Sequence, residues 1–271
     1  MNEFCWLATA GIELKVHGRT VLIDPFFSRF SLWKMWFGRV HVDHDLVAAK
    51  IQICDSVLVT HAHWDHIMDV PDVVHNTGAP AYGSPNCCQL LTACGVPEER
   101  IHEINVGDTF ITAGLKIDVL RSVHTKAPGF SPGLLASDLA PPLRARDYRM
   151  DDLFSFLITF DGHSLLTDPG VRAEDAVPAE MLLVQANRDE DYYRALLTRV
   201  QPRVVIPYHW DDFFRCLSKP LRPSLKPPRL AWPPLRRINL AEFGRTIQHL
   251  APEVRVFEPD AFRTYNLNDL F

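Results

Sequence analysis

A short run of potential metal ligands stands out in this chain of 271 residues: His61-Ala62-His63-Trp64-Asp65-His66. It follows the strand-like segment 56–60. Side chains alternate along an extended segment, so the first two histidines of the run can share one ion. Residues 67–70 resemble the start of a helix, so the chain must turn before them. That turn can direct the aspartate and the third histidine toward a second ion.

These residue types favour metal-dependent hydrolysis. Neutral imidazoles and a carboxylate suit zinc, and a catalytic zinc site leaves one position open for water. Two ions a few ångströms apart can clamp a hydroxide together with a substrate oxygen. A solvated polar loop is the alternative interpretation of the run. With 12 histidines in the whole chain, however, this spacing would rarely arise by chance.

Further ligands are expected where other predicted strands end, because a rigid sheet supports loops that can hold chemistry. Three candidates share this placement: His124 after 115–120, Asp168 after the hairpin of 154–160 and 164–167, and His209 after 204–206. A lone histidine is more often an ordinary loop or core residue. The shared position at strand ends favours a common site instead.

The order of these residues resembles the ligand signature of the metallo-β-lactamase superfamily. That signature is His-x-His-x-Asp-His, followed by a lone His, a lone Asp and a lone His. The chain supplies in that order His61, His63, Asp65, His66, His124, Asp168 and His209. The resemblance implies one metal held by His61, His63 and His124, a second held by Asp65, His66 and His209, and a bridge formed by Asp168.

The resemblance covers nearly the whole chain and implies a fold. The expected architecture is a four-layer αββα sandwich, in which two mixed β-sheets pack face to face with helices outside. A single domain over residues 1–271 is expected. The interleaved strand and helix patterns and the 47% hydrophobic content fit such a layered α/β protein. One helix is predicted over 239–250, where apolar residues recur at helical spacing.

Within the superfamily, the chain most resembles the branch that contains L-ascorbate-6-phosphate lactonase and N-acylphosphatidylethanolamine phospholipase D enzymes. The resemblance rests on Leu22-Ile23-Asp24-Pro25 and on residues 206–210, Ile-Pro-Tyr-His-Trp. That branch often has a Gly-His pair after its first Trp-Leu, whereas this chain has Ala8-Thr9. Asp24 is interpreted as accepting a hydrogen bond from the free ring nitrogen of a ligand histidine. The alternative is an aspartate that closes a turn before proline.

The implied function is a dinuclear zinc hydrolase, with manganese as the alternative metal. A hydroxide between the ions would attack a carbonyl carbon or a phosphorus. Asp65 is expected to orient this nucleophile, and Asp168 to hold the ion separation. The expected substrate is a small or amphiphilic anionic ester, with phosphodiester and sugar-phosphate lactone as its two types. The candidate substrate contacts are Trp64, Lys126, Tyr208 and Trp210.

Three other functions are compatible with a metal-ligand motif of this kind. A nuclease is disfavoured by the net charge of -5 and by a chain that is short for an added nucleic-acid clamp, so no nucleic-acid partner is expected. Diiron redox relatives usually replace the second motif histidine with glutamate, and His63 is intact. A noncatalytic metal-binding module would have less reason to keep every ligand of an open two-metal site.

Two segments have unusual compositions. Residues 25–37 contain six aromatic residues, which form either an apolar wall over the site or part of the core or a subunit interface. Residues 215–237 contain seven Lys or Arg, six Pro and no acid. Such a segment is expected to be a semi-rigid loop, and its basic charge near the site favours an anionic substrate. A loop over 126–152 is expected to form the opposite rim.

The remaining composition bounds the location and assembly of the protein. No apolar run is long enough to cross a bilayer, and the N-terminus lacks the features of a signal peptide. The six cysteines show no Cys-x-x-Cys spacing, which favours reduced thiols and a cytoplasmic location. The many aromatic residues near one end favour a homo-oligomer.

Overall fold

The computed structural model describes residues 2–124, 130–168, 170–226 and 236–271. Its strands are β1 (Glu3–Trp6), β2 (Ile12–Val16), β3 (Arg19–Ile23), β4 (Ser56–Leu58), β5 (Ala81–Gly83), β6 (Ile101–Glu103), β7 (Thr109–Thr112), β8 (Leu115–Arg121), β9 (Ser131–Pro132), β10 (Arg149–Met150), β11 (Phe154–Phe160), β12 (His163–Asp168), β13 (Met181–Gln185), β14 (Val204–Tyr208), β15 (Arg255–Val256) and β16 (Thr264–Asn266). Its α-helices are α1 (Leu32–Phe37), α2 (His44–Lys50), α3 (Trp64–Ile67), α4 (Val70–Thr77), α5 (Pro85–Ala93), α6 (Glu190–Val200) and α7 (Leu240–Leu250).

Two seven-stranded mixed sheets form the centre of the molecule. The first has the order β16-β1-β2-β3-β4-β5-β6, and the second has the order β15-β14-β13-β12-β11-β8-β7. In the first sheet, pairing is antiparallel from β16 to β3 and parallel from β3 to β6. In the second, it is parallel from β15 to β12 and antiparallel from β12 to β7. The predicted pair of mixed sheets is confirmed.

The buried apolar side chains separate into three layers, as alternation along the strands requires. In β13, Met181 and Leu183 enter the core between the sheets, whereas Leu182 and Val184 pack on the outer side. Helices α6 and α7 cover that outer side of the second sheet. Helices α2, α4 and α5 contribute to the core on the outer side of the first sheet. The αββα order of layers follows, as predicted.

Local signals in the sequence explain several element boundaries. Helix α7 begins at Leu240 because the Asn239 side chain accepts a hydrogen bond from the backbone N–H of Glu242. Asp161 and Gly162 have φ values of 49° and 81°, which give the tight two-residue turn that the β11–β12 hairpin needs. The helix expected near residue 67 begins earlier, with α3 at Trp64.

The aromatic segment 25–37 divides into a buried and an exposed part. Phe26, Phe27 and Phe30 are buried in the core beside the first sheet. Helix α1 then turns outward the three aromatic side chains Trp33 (71% exposed), Trp36 (51%) and Phe37 (68%). The segment is therefore not a continuous wall. Its first half is core, as one of the two interpretations expected.

The basic proline-rich segment is described over 215–226 and 236–237. Those residues form no helix or strand, apart from isolated bridges of Asp211 with Pro223 and of Leu225 with Arg237. Across the described residues, no helix combines the length and apolarity needed to cross a membrane. All six cysteines are free thiols.

Candidate metal centre

Six of the predicted ligands converge into two groups of three. His61, His63 and His124 form one, here called the histidine group, and Asp65, His66 and His209 form the other, here called the acid group. Within each group, the possible ligand atoms lie within 4.8 Å of one another. No other such group of His, Cys, Asp or Glu occurs in the described part of the chain.

Both sheets supply residues to these groups. His61 follows β4 of the first sheet closely, and His63 is the residue that precedes the first turn of α3. That turn carries Asp65 and His66. His124 follows β8, and His209 follows β14, both strands of the second sheet. The centre therefore lies where strand ends of the two sheets meet.

The acid group forms a compact triangle of ligand atoms. Nε2 of His66 lies 3.3 Å from Nε2 of His209, and Oδ2 of Asp65 lies 3.7 Å from the His66 nitrogen and 3.4 Å from the His209 nitrogen. Burial by itself would raise the pKa of Asp65, but the neighbouring imidazoles His66 and His209 outweigh it and hold the pKa below its usual range. Asp65 is therefore a negatively charged candidate metal ligand at neutral pH.

Asp24 stands directly behind the acid group. Its Oδ2 lies 2.6 Å from Nδ1 of His66. A carboxylate only accepts hydrogen bonds, so the His66 proton resides on Nδ1 and Nε2 keeps a free lone pair. Burial lowers the pKa of His66, but the carboxylates of Asp24 and Asp65 outweigh that effect and raise it. This is the type of hydrogen bond, to the free ring nitrogen of a candidate ligand histidine, that the sequence predicted for Asp24.

Thr60 extends the influence of Asp24 to the histidine group. Its hydroxyl lies 2.5 Å from Oδ2 of Asp24, and its backbone N–H donates to Oδ1 at 2.8 Å. Since the single hydroxyl proton goes to the carboxylate, Thr60 Oγ1 accepts from Nδ1 of His61 at 3.0 Å. One aspartate thus fixes the tautomer of a histidine in each group.

The histidine group offers neutral nitrogens without hydrogen-bond partners. Nε2 of His61 and Nδ1 of His63 are buried and unpartnered, as is Oδ1 of Asp65. Burial and then the neighbouring histidine rings hold the pKa of His61 well below its usual range, and burial is the main cause that lowers the pKa of His63 to about 3. Buried lone pairs without partners are costly unless an ion occupies them, so the donor set fits divalent cations.

Asp168 belongs to neither group. It is buried at the end of β12, where Oδ1 accepts from the backbone N–H of Gly170 at 2.8 Å and of Val171 at 2.5 Å. The Tyr192 hydroxyl lies 2.8 Å and 2.7 Å from its two oxygens. Burial raises the pKa of Asp168, and the hydrogen bond from Tyr192 opposes this effect without cancelling it.

A buried network holds His209 in place. The backbone N–H of His209 donates to the carbonyl of Thr9 at 2.8 Å. The N–H of Thr9 donates in turn to Oδ1 of Asp211 at 2.7 Å, and Arg29 forms an ion pair with Oδ2 of Asp211 at 2.9 Å. Both charged side chains are almost completely buried. The Ala8-Thr9 pair therefore has a structural part in the site.

The four predicted substrate contacts differ in how exposed their side chains are and in whether the structure describes them. Trp64 and Tyr208 are 0% and 2% exposed, which argues against direct contact with a substrate because no side-chain surface is open to one. Trp210 packs on Trp6, with ring centroids 5.1 Å apart, in a groove lined by Leu217 and Leu221. Lys126 lies outside the described residues.

Several residues of the site had not been predicted. Thr60, Tyr192, Arg29 and Asp211 position the candidate ligands, and Phe130 and Phe213 flank them. Thr60 and Asp211 stand one and two residues from a predicted ligand, so proximity along the chain was an available signal. Tyr192 and Phe130 carry no such signal, since they reach the site from separate loops and helices.

Three of the described basic side chains of the proline-rich segment make local contacts. Arg222 and Arg237 pair with Asp212 at 2.7 Å and 3.9 Å. Nε of Arg215 donates to the carbonyl of Pro220 at 2.7 Å. Asp212 precedes the acid-free segment by only three residues. This carboxylate therefore neutralises part of the positive charge of the segment.

Known proteins are similar to this chain in sequence. A family model described as "Beta-lactamase superfamily domain" matches residues 19–210. A protein of Polynucleobacter asymbioticus named UPF0173 metal-dependent hydrolase is 27% identical over 221 residues, which cover 78% of this chain and 75% of that protein. Matches to three further proteins of that name cover 44–51% of this chain and 42–57% of theirs.

Two solved structures are similar in fold. Igni18, described as a metallo hydrolase from Ignicoccus hospitalis, has a TM-score of 0.62 at 16% identity and covers 98% of both chains. CmlA, a diiron β-hydroxylase from Streptomyces venezuelae, has a TM-score of 0.62 at 14% identity, over 98% of this chain and 54% of that one. The family match spans well over half of the chain and the architecture agrees with it. The chain therefore belongs to the metallo-β-lactamase superfamily, and it is similar to metal-dependent hydrolases of that superfamily.

Proposed function

We propose that the protein is a dinuclear metal-dependent hydrolase. The observation that carries this proposal is the pair of ligand groups, whose buried atoms Nε2 of His61, Nδ1 of His63 and Oδ1 of Asp65 have no hydrogen-bond partner. The histidine group would hold one ion and the acid group the other. Because both sheets supply these residues, the proposal treats 1–271 as one hydrolase domain.

Zinc is the metal that best suits these donors. The histidine group offers three nitrogens, and the acid group offers two nitrogens and one oxygen. Manganese, the alternative, prefers sites richer in oxygen. The fold similarity to a diiron hydroxylase rests on 14% identity and concerns the architecture alone. The five imidazoles of the two groups therefore favour zinc over an iron redox centre.

Two carboxylates, Asp65 and Asp168, would have defined roles in hydrolysis. When bound, the two cations would activate water near neutral pH and stabilise the oxyanion that develops on the substrate. Asp65 stays ionised, and its unpartnered Oδ1 can accept a hydrogen bond from the attacking water and orient it. Asp168 would bridge the ions, since each carboxylate oxygen has two acceptor directions and Oδ2 is not saturated by Tyr192.

The proposed substrates are those of the lactonase and phospholipase D branch that the sequence resembles. They are a carboxylic ester or lactone and a phosphodiester, carried on a small or amphiphilic anionic molecule. Hydrolysis of either bond develops negative charge on an oxygen atom, and paired cations stabilise that charge. Access is from the side of His124 and His209, the half-buried members of the two groups.

The proposal is tested by metal content together with a substrate screen. Purified protein dialysed against metal-free buffer should retain about two zinc equivalents per chain. With zinc or manganese added, it should hydrolyse at least one of p-nitrophenyl butyrate, a γ-lactone and bis(p-nitrophenyl) phosphate. Asp168→Ala should lose one or both ions together with activity.

Asp45→Ala is the matched control, because Asp45 is an exposed carboxylate on α2. This variant should keep both the metal content and the turnover of the unaltered protein. Metal-free protein with unchanged turnover would overturn the proposal. So would a protein that binds two ions and hydrolyses none of the three bond types.

A further inference from the structure

Two half-buried aromatic rings stand beside the opening of the metal centre. Phe130 lies 5.1 Å from the ring of His63 and 5.8 Å from that of His124, measured between centroids. Phe213 lies 6.0 Å from the ring of His209. One phenylalanine therefore flanks the histidine group, and the other flanks the acid group.

The two rings form one continuous surface. Their centroids are 6.3 Å apart and their planes are nearly perpendicular, at 89°. Both rest on the fully buried Trp64, with Phe130 stacked on it at 5.7 Å and Phe213 edge-on at 5.4 Å. Phe30 and Phe214 pack on the same indole ring. The surface is thus fixed from behind, which lowers the entropy lost when a ligand binds to it.

Charge next to Phe213 is neutralised. Asp211 pairs with Arg29, and Asp212 pairs with Arg222. A partly exposed aromatic surface whose neighbouring charges are paired should bind an apolar group better than an anion. Aromatic rings left half-buried at the mouth of a candidate site, rather than folded into the core, are typical of ligand pockets.

We propose that Phe130 and Phe213 form a subsite for an apolar alkyl or aryl group of the substrate, next to the bond that is cleaved. This inference rests on the proposed hydrolase function and narrows its substrate to the amphiphilic class. The subsite uses residues outside the aromatic segment 25–37, whose buried members Phe26 and Phe30 only support Trp64.

The first test is a substrate series. For p-nitrophenyl acetate, butyrate, hexanoate and octanoate, kcat/KM should rise about threefold per added methylene until the surface is covered. p-Nitrophenyl benzoate tests an aryl group in the same subsite. Phe130→Ala and Phe213→Ala should keep the zinc content and flatten this dependence, so that kcat/KM for the octanoate falls by a larger factor than kcat/KM for the acetate.

Matched variants separate a subsite from simple packing. Phe130→Leu and Phe213→Leu keep apolar volume and should retain part of the chain-length dependence. Phe110→Ala removes an equally half-buried phenylalanine that stacks on Tyr82 instead. It should leave the dependence unchanged. A merely structural role for Phe130 and Phe213 would lower turnover of all esters by the same factor and overturn the inference.

A binding measurement needs no turnover. Calorimetry with the zinc-loaded protein should show octylphosphonate binding at least about tenfold more tightly than methylphosphonate, and the double alanine variant should abolish the difference. Equal affinities would overturn the subsite even if no ester is hydrolysed. Hydrolysis of esters with a flat series would overturn the subsite and leave the hydrolase proposal standing. Protein without metal or turnover would instead contradict the hydrolase proposal.

Discussion

The two ligand groups differ in how the chain supports them. The acid group contains a carboxylate, Asp65, and has a second one, Asp24, in direct contact with His66. The histidine group has no acid among its members, and Asp24 reaches it only through the hydroxyl of Thr60. His66 of the acid group is thus held by a carboxylate, whereas His61 of the histidine group is held by a neutral hydroxyl.

This difference sets an order of affinity. Carboxylates within a few ångströms of a divalent cation contribute far more in a buried site than neutral dipoles do. We therefore expect the acid group to bind its ion more tightly than the histidine group. Both groups contact the Asp24–Thr60 pair, so a substitution in this pair should change the metal affinity of both groups. The change should be larger at the group that contacts the substituted residue directly.

The largest effect is expected from Asp65→Asn, which removes the only acid within either group. The acid-group ion should be lost, and kcat/KM should fall by about a thousandfold, because metal stabilisation of the oxyanion contributes several kcal/mol. Metal analysis and steady-state kinetics measure both quantities, with Asp45→Asn as the control. Retention of two ions and near-normal turnover would show that the acid group is not a metal site.

A smaller effect is expected from Asp24→Asn. The amide is uncharged, and if its oxygen accepts from Nδ1 of His66 its NH2 group faces the backbone N–H of Thr60, so the affinity of the acid group should fall about 10- to 100-fold. The histidine group should lose less, since Thr60 stands between it and Asp24. Competition with a chromogenic chelator resolves the two affinities, and Asp118→Asn on β8 is the control. A greater loss at the histidine group would reverse the comparison.

The smallest effect is expected from Thr60→Val, which removes the hydroxyl and keeps the shape. Nδ1 of His61 loses a neutral hydrogen bond, so the affinity of the histidine group should fall about fivefold. Thr60→Ser should restore it. The same chelator competition measures both variants. An equal loss at both groups would mean that Thr60 serves the loop as a whole rather than His61.

The architecture and the two groups of three were implied by the resemblance to the superfamily, whereas the sequence placed the candidate ligands near strand ends for a definite physical reason. Each follows a short apolar run whose end is marked by polar residues or by a turn, and strand ends at one edge of a sheet lie close together. The β11–β12 hairpin could be placed from Asp161-Gly162 in the same way. These features depend on local order along the chain, which periodicity reports.

Other features depended on distances that the sequence does not report. The contact of Tyr192 with Asp168 joins a helix to a strand end, and the contact of Phe130 with Phe213 joins two loops. Composition could not divide the aromatic segment 25–37, because the outward direction of Trp33, Trp36 and Phe37 depends on how α1 packs. Composition also could not show that Asp212, just before the basic segment, pairs with two of its arginines.

Left-handed backbone surrounds the acid group at Ala8, Thr9, Asp24 and His209, with φ between 45° and 70°. Each of these non-glycine residues costs on the order of 1 kcal/mol of folding free energy. Glycine would relieve that backbone cost, but at Asp24 and His209 it would also remove the side chains that form and support the acid group. A thermostability screen on this scaffold should keep these four positions unchanged, since glycine there would relax the geometry of the candidate metal centre.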